Sequence, residues 1–332
     1  ERLMYDWDLK EIYKLIDRMP SGDLGKCYEL KAIKNRIVSL TRIEPPLHPS
    51  GLEKIVAQFG TEPEDFKENE FIDFVRHTQK KYGNIEPTNG VFAPWAFWVD
   101  EFKEIGGHDA LFAPQSKEDS DIFNRFKLKG IEFLQTWKGF VYHLTCRGSR
   151  FNPTLTEVGK NSSEWEEQNR ISSRNFIRKW GHFVEHDEYL NPIVPHKYNV
   201  GFKVINCSED LLYYLEPWCS IINQDTGLTE SMLYVRQEQD KTLYNIPNRV
   251  SYSLKGYMSD DWGKELDIVV EIDGYTFNQN DFITIQNLSK IITESGEIGK
   301  FELGNLKITI NAMNHYENDL IVCKNEPISL EK

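Results

Sequence analysis

Apolar positions in the first half of the chain follow two periods, and these predict alternating helices and strands. Apolar residues at helical spacing predict helices over residues 8–19, 50–58, 69–82, 99–104 and 118–130. Runs rich in β-branched and aromatic residues predict strands over 36–43, within 88–98 and over 137–143. Alternation of this kind is typical of an α/β domain, which we place at residues 1–180 with an incomplete Rossmann-like sheet.

The second half changes character at a connector rich in Pro, His and Tyr. We predict a surface linker over residues 181–197, followed by a smaller α+β domain over residues 198–332. Its predicted strands are 200–205, 233–237, 250–254 and 267–272, its helices are 209–219 and 280–295, and 299–303 with 306–310 form a hairpin. The order of these elements favours a split arrangement of strands and helices.

Composition excludes several classes of protein. The formal net charge is −13 over 332 residues, so a generic nucleic-acid binder is not indicated. The five cysteines are scattered without a CxxC pair, which favours a reducing, cytoplasmic location over a disulfide framework or a cysteine-ligated zinc site. No apolar run approaches the length that a transmembrane helix needs.

The polar positions that suggest chemistry are a glycine turn, an acidic helix start and a histidine on a strand. In chain order they are Gly106, Gly107, Asp109, Glu118, Asp119, Asp121 and His143. A helix of about twelve residues descends roughly 18 Å and a strand of about six residues climbs nearly 20 Å back. We therefore predict that Asp119 and His143 converge on one crevice at the sheet edge.

Each of these residues also has an ordinary structural explanation. Ser116 is a plausible N-cap, and acids in a first turn interact favourably with the helix dipole, so Asp119 could serve only the helix. A lone histidine such as His143 is more often a satisfied core or surface residue than a metal ligand.

The pattern of glycine pair, Glu118-Asp119-x-Asp121 and later His143 resembles the second half of a family-two-like glycosyltransferase of the GT-A fold. The resemblance covers about residues 1–180 and implies an inverting, metal-dependent hexosyltransferase that uses a nucleotide-sugar donor and a glycan or other hydroxyl acceptor. It implies that Asp119 is the general base, that Glu118 positions the acceptor, and that His143 binds Mn²⁺ or Mg²⁺. The residues expected to contact substrate are Asn89, Gly90, Trp95, Gly106, Gly107, Asp109 and Arg147.

In the resembled family a donor-binding half precedes this region, and here it would lie before Glu1, so we expect the chain as given to bind nucleotide sugars weakly or not at all. Asp6-Trp-Asp8 has the spacing of a metal-binding pair, which makes Asp8 a second candidate metal ligand; the competing interpretation is an N-cap of helix 8–19. A non-catalytic glycan-binding or structural protein is the alternative function. A third is an adaptor that binds a protein partner through Trp218, Tyr213 and Tyr214, which we expect to be exposed.

Overall fold

The computed structural model describes residues 34–47, 49–82, 84–144, 161–254, 259 and 261–322. These residues form two compact units. The first, unit 1, holds residues 34–104, 129–144 and 186–192 of the described chain, and the second, unit 2, holds 105–128, 161–185 and 193–322. The division predicted from the sequence runs in chain order, whereas both units are discontinuous.

Unit 1 is built on one long central strand. Its strands are β1 (Arg36–Glu44), β2 (Lys54–Val56), β3 (Trp95–Ala96) and β4 (Glu132–Tyr142), and its helices are α1 (Glu68–Tyr82) and α2 (Val99–Glu104). Strand β1 pairs in parallel with both β2 and β4, and antiparallel with β3. The carboxyl ends of β1, β2 and β4 therefore lie at the same edge.

An aromatic core holds α1 against this sheet. Phe59, Trp137 and Phe140 are buried together with Ile43 and Val75, the last of which lies on α1. The predicted strand at 36–43 and helices at 69–82 and 99–104 are confirmed. The helix predicted over 50–58 is wrong, because residues 54–56 pair with the end of β1 and this tertiary pairing overrides the helical spacing.

Unit 2 contains a six-stranded sheet in the order β7-β6-β5-β8-β10-β9. The strands are β5 (Val200–Ile205), β6 (Ile221–Gln224), β7 (Val250–Tyr252), β8 (Ile268–Asp273), β9 (Gly299–Leu303) and β10 (Leu306–Ile310). The helices are α3 (Glu118–Leu128), α4 (Ser163–Trp180), α5 (Glu209–Leu215), α6 (Leu228–Gln239), α7 (Ile246–Arg249), α8 (Gln279–Gln286), α9 (Leu288–Ser295) and α10 (Glu317–Ile321). Within the described part of the chain, no helix combines the length and apolar character that a membrane crossing requires.

The α+β prediction for this part needs correction. Strands β7, β6, β5 and β8 are mutually parallel, and only the β9–β10 hairpin at one side is antiparallel, so the chain is mixed α/β with parallel-rich sheets. The parallel strands bury Phe202, Val204 and Val270 completely. Continuous burial of this kind is what helices packed on a parallel sheet produce.

Local predictions in unit 2 have mixed outcomes. The hairpin and the strand at 200–205 are confirmed, but residues 233–237, predicted as a strand, lie inside helix α6. The helix predicted over 280–295 is interrupted at Asn287. Trp218, predicted to be exposed for a partner, is only 6% exposed, whereas Tyr214 is 57% exposed.

Candidate functional site

The acidic helix α3 starts from a strained turn. Ser116 and Lys117 have φ values of +78° and +72°, a left-handed conformation that costs a non-glycine residue about 1–2 kcal/mol. The helix begins at Glu118, directly after Lys117, so the N-cap role predicted for Ser116 is wrong, and the Ser116 hydroxyl donates to Asn169 Oδ1 at 2.8 Å. The first helical hydrogen bond runs from the Asp121 amide to the Lys117 carbonyl at 2.9 Å. Strained backbone immediately before Glu118 and Asp119 is a feature that occurs often at functional sites.

Two of the three aspartates in the motif are committed to a buried lysine. Lys179 Nζ lies 2.7 Å from Asp109 Oδ2 and 2.6 Å from Asp121 Oδ1. Asp121 is fully buried and also accepts hydrogen bonds from Arg125 Nε and Trp180 Nε1, each at 2.9 Å. Burial acts to raise the pKa of Asp109, but the charge and hydrogen bond of Lys179, the Leu111 amide and the charge of Arg125 together outweigh it and lower that pKa. Through Lys179, these two carboxylates link helix α4 to the segments that carry Asp109 and Asp121. The sequence did not assign this role to either of them.

The glycine pair ahead of Asp109 is required by the backbone. Gly106 and Gly107 have φ values of +88° and +71°. Glycine is the residue that adopts this conformation at two successive positions without a steric penalty. The turn leads into Asp109, whose Oδ1 accepts from the Leu111 amide at 2.9 Å. The described contacts therefore assign Gly106, Gly107 and Asp109 a structural role at this turn.

Asp119 differs from its two neighbours. Its side chain is exposed, in contrast to Asp121, while Glu118 next to it is half-buried. The protein atoms that surround Asp119 nevertheless desolvate its carboxylate and raise its pKa above the ordinary value. An accessible carboxylate with a raised pKa is better suited to accept a proton than one held in an ion pair.

His143 occupies the carboxyl edge of the sheet in unit 1. It directly follows β4, and its amide donates to the Ile43 carbonyl at 2.9 Å. Its Nδ1 lies 2.7 Å from Oε1 of Glu44, the last residue of β1, and its side chain remains 43% exposed. Loops and strand ends at this edge of an open α/β sheet are where ligands bind.

Glu44 is a buried anion that organises this edge. Arg42 Nη1 donates to it at 2.8 Å and Lys54 Nζ at 2.9 Å. Burial alone would raise the pKa of Glu44, but the hydrogen bonds from His143 and Lys54 and the charges of Arg42 and Lys54 lower it to about 2. An ionised carboxylate can only accept, so His143 Nδ1 donates to it, and in the neutral imidazole the lone pair of Nε2 remains for another partner.

Arg42 and Phe92 complete the edge, and neither is among the residues expected to contact substrate. The Arg42 guanidinium lies 3.7 Å from the centroid of the Phe92 ring, a cation–π distance. The Phe92 ring, predicted as core, is half-buried with its centroid 6.4 Å from that of His143. In the sequence, the feature that marks this carboxyl edge is the abrupt end of the strand at Glu44-Pro45-Pro46.

The predicted substrate contacts Asn89, Gly90 and Trp95 lie elsewhere in unit 1. Asn89 is exposed, and neither Asn89 nor Gly90 has a positive φ. Gly90 is buried, and a Cβ there would lie 2.1 Å from Gln135 Oε1, so its close approach to β4 explains the glycine. Trp95, predicted as an exposed platform, is half-buried with its ring edge-on to Phe97 at 5.3 Å.

Three predicted features stay untested by this geometry. Asp8 and Arg147 lie outside the described residues. Asp119 belongs to unit 2 and His143 to unit 1, and their convergence on one crevice stays a prediction. Comparison of the chain with protein-family models, curated proteins and solved structures finds no match.

Proposed function

We propose that this chain is an inverting glycosyltransferase of the GT-A type in which Asp119 is the general base. The observation that carries the proposal is the contrast among the aspartates: Asp109 and Asp121 are bound to Lys179, whereas Asp119 is exposed and its pKa is raised. The strained turn at Ser116 and Lys117 supports it, because such strain holds a side chain in a defined direction.

The proposed reaction uses Asp119 for a single proton transfer. The acceptor hydroxyl oxygen attacks the anomeric carbon of the donor, and the bond from that carbon to the diphosphate oxygen breaks. The nucleoside diphosphate departs, and the hydroxyl proton moves to the Asp119 carboxylate. Attack opposite to the leaving group inverts the anomeric configuration. Glu118 would position the acceptor beside the base.

His143 fits one position in a metal site of such an enzyme. Its Nδ1 is held by Glu44, which leaves Nε2 as a neutral imidazole ligand oriented by a carboxylate. This nitrogen suits Mn²⁺ better than Mg²⁺, which prefers oxygen ligands. The metal would supply positive charge to the departing diphosphate. Asp8 is the proposed second ligand.

The test is turnover of a panel of UDP- and GDP-sugars with Mn²⁺, measured as release of nucleoside diphosphate in the presence of mixed glycan acceptors. Asp119→Asn should lower turnover by about 10²-fold or more, since the amide keeps the shape but cannot accept the proton. Asp210→Asn is the matched control, because Asp210 is likewise an exposed acid at the second position of a helix.

Donor binding measured by calorimetry should be unchanged in the Asp119→Asn variant. Retained turnover in this variant would contradict the proposed base. Absence of turnover across the whole panel would contradict the proposed function itself. Because burial raises the pKa of Asp119, activity should increase as the pH rises through a value above that of an ordinary aspartate.

A further inference from the structure

A second group of potential metal ligands lies in unit 2 and contains none of the residues proposed for the transferase site. His196 precedes β5, and His315 and Glu317 follow β10. One ring nitrogen of each histidine and one Glu317 oxygen all lie within 4.8 Å of one another. The two imidazole rings are stacked, with centroids 3.7 Å apart and planes inclined by 16°. Residues far apart in the chain therefore bring their potential donor atoms close together.

The backbone that carries these side chains is fixed by other contacts. The Tyr316 amide donates to the Lys197 carbonyl at 3.2 Å, which joins the two segments directly. The Asp267 carboxylate accepts from the Asn199 amide at 3.1 Å and from Asn314 Nδ2 at 2.8 Å. One buried carboxylate thus holds both segments. Such support is what keeps metal ligands in place before the ion arrives.

We propose that His196, His315 and Glu317 bind one divalent transition-metal ion of the zinc class. Two imidazole nitrogens and one carboxylate oxygen are a ligand set that Zn²⁺ accepts, whereas Mg²⁺ and Ca²⁺ favour oxygen. Donor atoms about 2.0–2.1 Å from a tetrahedral zinc lie roughly 3.3 Å apart. Rotation of the side chains closes the present separation, and the hydrogen bond between His196 Nδ1 and Glu317 is exchanged for bonds to the metal.

Exposure of the group gives the ion a path to the site. His315 is exposed, and the side chains of His196 and Glu317 are 40% and 17% exposed. Three protein ligands leave a fourth position for water. The site lies at the start of β5 and the end of the antiparallel β10, the sheet edge opposite to the carboxyl ends of the parallel strands. A metal there would tie the segment after β10 to the start of the sheet and stabilise unit 2.

Calorimetric titration of the metal-free full chain with ZnCl₂ tests the proposal. The protein is prepared without a histidine tag and is treated with EDTA before the titration. We expect one equivalent of Zn²⁺ to bind, and His315→Ala to weaken binding by about 10-fold or more. His77→Ala is the matched control, since His77 is an exposed histidine on α1 in unit 1, and it should leave the affinity unchanged.

A conservative variant covers the case in which His315→Ala fails to fold. Glu317→Gln keeps the side-chain shape but removes the anionic ligand, so it should also weaken Zn²⁺ binding while the far-ultraviolet circular dichroism stays unchanged. His143→Ala should retain the zinc affinity, which separates this site from the metal position of the proposed transferase. No zinc binding to the parent chain, or equal affinity in the parent, His315→Ala and Glu317→Gln proteins, would overturn the proposal.

Discussion

Each unit contains a buried cluster of charged side chains. The two clusters differ in whether a charged or titratable member reaches solvent. The edge cluster of unit 1 consists of Arg42, Glu44, Glu53, Lys54 and His143. The helix cluster of unit 2 consists of Arg174, Arg178, Glu216, Glu238 and Arg249. Both are organised by one deeply buried glutamate, Glu44 or Glu216, whose pKa is lowered to about 2.

The helix cluster is closed. Glu216 is fully buried, Arg178 Nη2 lies 2.6 Å from its Oε2, and Arg249 Nε lies 2.6 Å from its Oε1. The Tyr234 hydroxyl donates to the same carboxylate at 3.0 Å, and Arg249 Nη2 donates to the Cys219 carbonyl at 2.6 Å. Each charged side chain of the cluster has partners within unit 2, so removing one of them would leave the others buried without compensation.

The edge cluster is open at His143. Glu44 and Arg42 are buried like the members of the helix cluster, but the imidazole at the end of the edge cluster is 43% exposed. Buried charges there orient a group that solvent can reach. Of these two clusters, the edge cluster is therefore the one in which buried charges orient a group that a ligand could reach.

The largest expected effect is on the stability of the closed cluster. Glu216→Ala should lower the free energy of unfolding by about 3–5 kcal/mol, because it leaves buried arginines without their anion. Urea denaturation followed by circular dichroism measures the loss. Glu230→Ala, at an exposed position of α6, is the control and should change stability by less than about 0.5 kcal/mol. A loss for Glu216→Ala as small as that of the control would refute the distinction.

The contrast between these two clusters could not be predicted from the sequence. Helical and strand periods identified β1, α1 and the β9–β10 hairpin, because those elements bury one face each. The partners of Asp109 and Asp121 could not be read in this way, since Lys179 lies on α4, and no local spacing records a contact formed by tertiary packing. His143 was placed at the sheet edge from its position on the predicted strand 137–143, whereas the contacts of Glu44 and Phe92 required the folded structure.

Removing the anion of the edge cluster should lower the free energy of unfolding by less than Glu216→Ala does. Glu44→Gln keeps the shape and a hydrogen-bonding group, so we expect a loss of about 1–3 kcal/mol in the free energy of unfolding. The same change should weaken Mn²⁺ binding by about 10–100-fold if His143 is a metal ligand, since Glu44 fixes its ring. Titration with Mn²⁺ measures the second effect. Unchanged Mn²⁺ affinity would show that the open end of the cluster does not hold a metal.

Lowering the pH should reduce the stability of the folded chain through the buried glutamate of each cluster. The pKa of Glu44 and that of Glu216 are about 2 in the folded chain, below the ordinary value of about 4.3 in an unfolded one. The unfolded state therefore binds protons first, so this stabilisation is complete above that ordinary value and is lost as the pH falls through 4 toward 2. Urea midpoints measured from pH 6 to pH 3 should decline, and less steeply in Glu44→Gln. An identical slope in parent and variant would exclude Glu44 from the effect.

The smallest expected effect is on the stability of the turn that precedes Asp119. Within the described residues, no buried ion pair orients Asp119 in the way that Glu44 orients His143. We attribute its orientation to the left-handed turn at Ser116 and Lys117. Lys117→Gly and Lys117→Ala both remove the amine that donates to Asn169, but only glycine adopts a φ of +72° without strain. The glycine variant should therefore be more stable than the alanine variant by about 1 kcal/mol. Equal urea midpoints for the two variants would mean that the turn stores no strain, and that Asp119 is oriented by other contacts.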